Sequence, residues 1–131
     1  MKSLANIGAR GAQDTHNPAP FNVPLRHTRE SLIQLFGSAQ MVDRLLDTMI
    51  REVNQDLTVL QRAQSSLDVT AVVEQLHRIV GCVAFLGATE SETQGARLIA
   101  AVRQRGVVIN QPLLEDFHKR MLAYLNDLKN L

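Results

Sequence analysis

A chain of 131 residues with 45% hydrophobic and 21% charged side chains has the length and composition of one globular domain. A net charge of +1 excludes nucleic-acid binding driven by bulk charge, and a single cysteine, Cys82, excludes an internal disulfide and points to a reducing compartment. No apolar run reaches the ~20 residues that span a bilayer, and the opening MKSLANIGARG lacks the apolar stretch of a secretory signal, so a cytoplasmic protein is expected.

Residues 1–24 differ from the rest. They hold Gly8, Gly11 and three of the four prolines (Pro18, Pro20, Pro24), the composition of a linker or flexible arm. Residues 25–131 are expected to form the folded domain. No strand signal appears there, neither sustained alternation nor a hairpin dipeptide. Helical periodicity dominates instead.

A short first helix is expected over 29–36, with Thr28 as N-cap and Gly37 as its stop. Ser38 then caps a long second helix over 39–64. Its apolar stripe is Val42, Leu45, Leu46, Met49, Val53, Leu57 and Leu60, with Arg44, Asp47, Arg51, Glu52, Asp56 and Arg62 mostly off it. Ser65 and Ser66 make the break, and Asp68 caps a third helix over 69–86 that Gly87 ends. Ser91 with Gln94, or Thr89 with Glu92, offers a capping box for a fourth helix over 92–105, with Leu98, Ile99 and Val102 inward. Asn110 and Pro112 open a fifth over 111–128, with the stripe Leu114, Phe117, Met121, Tyr124, Leu125 and Leu128. The expected fold is all-α: an antiparallel four-helix bundle with a short extra N-terminal helix. With 4% aromatics and no Trp, its core must be aliphatic.

The third helix carries two messages. Val72, Leu76, Ile79, Val83 and Leu86 recur at four, three, four and three, which is a core seam. His77 is rotated about 100° from Leu76 and so from that seam. Residues three and four apart share a face, which sets His77 beside Gly81 and Ala84. A glycine inside a helix costs roughly 1 kcal/mol against alanine. That cost makes sense where another molecule's backbone must come close to the imidazole. The other histidines suit no such role: His16 and His27 lie in or beside the arm, and His118 lies among charges. No two histidines have a metal-ligand spacing with a carboxylate, so no metal is expected. Cys82 lies about 140° from His77 around the helix, too far for a Cys–His pair, and reads as a small boundary hydrophobe. The Gly95-Ala96 pair reads as close helix packing.

The segment QLHRIVGCVAFLGA resembles the signature of histidine-containing phosphotransfer (HPt) domains of bacterial two-component phosphorelays. That signature has the form His-x-hydrophobic-Lys-Gly-small, followed by hydrophobic-Gly-Ala. Here it reads His77, Arg78, Ile79, Val80, Gly81, Cys82 and then Leu86, Gly87, Ala88. The upstream ESLIQLFGSAQMVDRLLDTMIREV is similar to the family's first two helices, and the resemblance covers about 28–129. It implies that His77 is the phosphoacceptor and that Gly81 and Ala84 allow close approach. Docking is expected to use Val73, Val80 and Arg78, with Leu67 and Val69 as further apolar neighbours. Val80 stands where the family usually has lysine, so no lysine role passes to this chain; Arg97 or Arg103 on the fourth helix is the alternative source of a cation.

The resemblance further implies a phosphohistidine carrier without autokinase activity. It would accept a phosphoryl group from a receiver-domain aspartyl phosphate and pass it to a response-regulator aspartate. Partners are then receiver domains of a hybrid kinase or a response regulator, with the C-terminal domain of a hybrid sensor histidine kinase as one context. No cofactor is expected on this chain, Mg²⁺ belonging to the receiver; nor is nucleic acid or membrane, and a monomer is the default. The missing lysine motivates an alternative, an HPt-like module that docks a receiver without chemistry. A helical interaction domain of unrelated ancestry is the third possibility.

Overall fold

The computed structural model describes residues 21, 23–87 and 89–131. Five helices occupy them: α1 (Arg29–Phe36), α2 (Ala39–Ser65), α3 (Val69–Phe85), α4 (Glu90–Arg105) and α5 (Gln111–Lys129). The helix α2 packs against both α3 and α5, α4 packs on α3, and α1 lies on α2. The bundle is therefore held by the long second helix on one side and by α3 on the other.

Local chemistry fixes most of the boundaries. Thr28 Oγ1 accepts the Ser31 amide while the Thr28 amide donates to Ser31 Oγ, a reciprocal cap at the start of α1. Gly37, at φ 101°, ends that helix in the left-handed conformation glycine reaches without penalty. The side chains of Ser38 and Asp68 accept the Met41 and Ala71 amides and start α2 and α3. The helix α4 departs from the expected pattern. It begins at Glu90, with Thr89 at the N-cap position but making no side-chain cap, and Ser91 is buried inside the helix rather than capping it. Asn110 also makes no side-chain cap for α5. Its buried amide instead donates to the Ala101 and Gly106 carbonyls, so it ties off the end of α4.

The stripes expected for α2, α3, α4 and α5 all point into one core, and Val42, Val53, Leu60, Val72, Leu76, Ile79, Val83, Val102, Leu114, Phe117 and Met121 are fully enclosed. The core also begins earlier in the chain than a boundary at residue 24 would put it. Phe21 is 5% exposed and meets the Phe117 ring edge-on at a centroid distance of 4.7 Å. The half-buried Val23 packs against the same core, and Arg26 forms an ion pair with Glu90 at the start of α4. Composition could not show this, because the prolines dominate that stretch. The rest of the expected arm, residues 1–20, lies outside the described residues.

Candidate functional site

The site is built on the face of α3 that turns away from its seam. His77 and Gly81 are exposed, and Ala84 is half-buried one turn further on. Among the described residues nothing lies within 4 Å of where a Gly81 Cβ would stand, so no packing among them requires glycine there. A cleft of about 190 Å³ runs between α3 and α4 at this point, lined by His77, Val80 and Gly81 from one helix and Glu92, Ala96 and Ile99 from the other.

Val80 does not stand in the open. It is 8% exposed and lies over Gly95 of α4, where an added Cβ would come 2.7 Å from Val80 Cγ2. Val73 is 6% exposed and faces the core as well. The two valines expected to serve docking are therefore buried rather than presented at the surface. Both belong to the buried side of α3, and the approach of α4 through Gly95 covers Val80. Arg78 turns the other way, toward α2, where its Nε lies 3.3 Å from Asp56 Oδ1. Leu67 is exposed, with a left-handed φ of 55° in the turn before α3, and Val69 is half-buried.

Exposed apolar surface lies at the C-terminal end of α3 and the end of α1. Phe85, two turns beyond His77 at the end of α3, is 64% exposed, and its ring lies 6.2 Å from that of the half-buried Phe36 at the end of α1. Leu35, beside Phe36, is also exposed. The signal was present in the i, i+4, i+8 spacing of His77, Gly81 and Phe85, but Phe85 reads equally well as core in a sequence. The charged group in the cleft is Glu92, a carboxylate. Neither Arg97 nor Arg103 lines it. Glu92 shares a face with Ala96 and Ile99 at i, i+4 and i+7, a pattern masked by its equally good fit to a capping box.

Cys82 is half-buried on another side of α3. Burial raises its thiol above the ordinary range, and the carboxylates of Glu52 and Asp56 push it the same way against the opposing pull of Arg78. This is the reverse of what activates a nucleophilic cysteine. Among the described residues, no group of three His, Cys, Asp or Glu side chains could hold a metal ion. No helix among them is long and apolar enough to cross a membrane.

A larger recess, about 580 Å³, opens between the end of α2 and the start of α5. Its walls are polar: Gln61, Gln64 and Ser65 on α2, and Gln111, Glu115, His118 and Lys119 on α5. The buried Gln64 amide closes the two helices together by donating to Gln111 Oε1 at 2.9 Å. His118 is half-buried, and its Nδ1 is shielded with no partner.

The helical bundle thus holds an exposed imidazole in the middle of α3, beside an exposed glycine. The model of the Hpt domain family matches residues 44–131, which takes in α3, α4, α5 and most of α2. The chain belongs to the Hpt domain family, the histidine-phosphotransfer domains of two-component phosphorelays. No curated protein and no solved structure gives a significant match.

Proposed function

We propose that His77 is the phosphoacceptor and that this domain relays a phosphoryl group between receiver domains. A ring nitrogen of the neutral imidazole attacks the phosphorus of a receiver's aspartyl phosphate. The N–P bond forms, the acyl P–O bond breaks, and the aspartate carboxylate leaves with the electron pair. Transfer onward is the same exchange run toward a second receiver's aspartate. Positioning and charge neutralisation carry most phosphoryl-transfer catalysis, and here the receiver's Mg²⁺ would supply the charge while this chain binds no cofactor.

The observation that carries the reading is the pairing of an exposed His77 with an exposed Gly81 that nothing in the molecule needs. Gly81 and the half-buried Ala84 leave room for the receiver's backbone, and Phe85, paired with Phe36, offers apolar contact further along α3. The receivers would be those of a hybrid kinase, a response regulator or both, in the cytoplasm, met by a monomeric HPt domain. The test is incubation with a phosphorylated receiver and Mg²⁺, followed by addition of a second, unphosphorylated receiver. Label should move onto this protein and then off it. A receiver that binds equally well to wild type and to His77→Gln while no phosphate moves would identify a docking module without chemistry instead.

A further inference from the structure

We infer that Glu92 sets the poise of the transfer, driving the phosphoryl group off His77 and toward the receiver. The inference rests on the reading of His77 as acceptor. Glu92 stands three residues after the N-cap Thr89, the place from which a glutamate reaches back to the N-cap amide. That amide already donates to the Gly87 carbonyl at 2.8 Å. The Glu92 side chain instead forms part of the wall of the cleft that holds His77. Val80, Gly81, Ala96 and Ile99 complete the lining, so the cleft contains a carboxylate and no cation. Arg78, adjacent to His77 in sequence, is engaged by Asp56 on the α2 side. Glu74, exposed one turn before His77 on α3, adds a second negative charge to the same neighbourhood.

A neutral imidazole next to Glu92 meets no like charge. A phosphorylated one carries about two negative charges and does. The carboxylate therefore raises the free energy of the phosphorylated state relative to the free one, and does so without touching the nucleophile. A carrier built to store phosphate would place a cation here. This one is arranged to give phosphate up, so that the equilibrium favours the receiver's aspartate, where Mg²⁺ compensates the charge.

The test needs no receiver. Phosphoramidate is a small donor: an imidazole nitrogen forms the N–P bond, the donor's own P–N bond breaks, and ammonia leaves with that electron pair. The ratio of phosphorylated to free protein is read by intact mass at equilibrium, in fixed phosphoramidate and ammonium. Wild type, Glu92→Gln and Glu90→Gln are compared, with circular dichroism as the check on folding. Glu90 lies in the same first turn of α4 but outside the cleft. At low ionic strength Glu92→Gln should raise the ratio about fivefold, the scale of one like-charge contact in water. In 1 M salt, where screening acts within about 3 Å, the gain should shrink below about twofold. Glu90→Gln should match wild type. An unchanged or lower ratio for Glu92→Gln at low salt overturns the inference and leaves the acceptor reading standing, as does a gain shared by Glu90→Gln. Absence of label on wild type, or label that survives His77→Gln, removes the acceptor reading and the inference with it.

Discussion

His77 and His118 stand beside two recesses of opposite character. The α3–α4 cleft is small, about 190 Å³, and mostly apolar; the α2–α5 recess is about 580 Å³ and walled by amides and charges. The larger, more polar one is the natural place to look for chemistry, yet its histidine is half-buried with Nδ1 shielded. The smaller one leaves its histidine in the open, with a glycine in front of it. On the proposed reading of His77 as acceptor, access matters more than volume, and three small residues bear on it. Gly95 lets α4 close over Val80, while Gly81 and Ala84 keep the approach to the imidazole low.

The sharpest break between the two recesses is chemical. His77→Gln should abolish phosphoryl incorporation, and His118→Gln should leave it near wild type, both read by intact mass after exposure to phosphoramidate. The next largest effect concerns how α4 is seated. Gly95→Ala puts a Cβ 2.7 Å from Val80 Cγ2, and overpacking of this kind typically costs about 1–3 kcal/mol. A thermal melt should show it as a fall of several degrees in Tm, roughly 4 °C or more per kcal/mol in a domain of this size. Val80→Lys belongs in the same class. It buries a cation against Gly95 instead of offering one to the phosphoryl group, so it should lower Tm and is a poor way to restore a cation to the cleft.

Gly81 separates access from stability. A Cβ there meets nothing, and glycine in a helix is worth roughly 1 kcal/mol less than alanine. Gly81→Gln should therefore hold or raise Tm while slowing transfer from a phosphorylated receiver about tenfold or more. Labelling by phosphoramidate, which is small enough to pass, should change little. A loss in both assays would mean the glycine matters to the histidine and not to the visitor. Phe85→Ala should weaken receiver binding by a factor of about five, near the 1 kcal/mol that marks a contributing interface residue, with stability changed by less than about 0.5 kcal/mol.

The smallest effect lies at high pH. Burial raises the Tyr124 phenol from 10.0 to about 12, with Cys82 adding in the same direction. A raised folded pKa means the folded protein holds the proton more tightly than the unfolded chain. Its contribution is whole below pH 10 and is lost as pH rises toward 12. Denaturant melts across that window should show stability falling. Because Tyr124 is the only tyrosine, the phenolate absorbance reports its titration directly.

Most of the bundle was legible in the sequence because each helix carries its own stop, start and stripe. Gly37, Ser38 and Asp68 act locally, and local signals survive without knowledge of the fold. Thr89, Ser91 and Asn110 misled for the complementary reason. Their caps look sound in sequence, but Gly87 O takes the Thr89 amide, burial takes Ser91, and the carbonyls of Ala101 and Gly106 take Asn110. At the site, the outward turn of His77 followed from its angle to the seam. The burial of Val80 did not, because it depends on how closely α4 approaches, and that is decided by Gly95 on another helix. Glu92 was masked by its fit to a capping box, and Phe85 reads in a sequence as readily as core as it does as surface. Phe21 was obscured by the prolines on either side of it.

The most direct measurement is nuclear magnetic resonance of the ¹⁵N-labelled protein after phosphorylation, reading which imidazole acquires coupling to phosphorus. The account predicts that the His77 ring alone does. Coupling at His118 or His27, or phosphorylated protein in which the His77 ring resonances are unchanged, would contradict it.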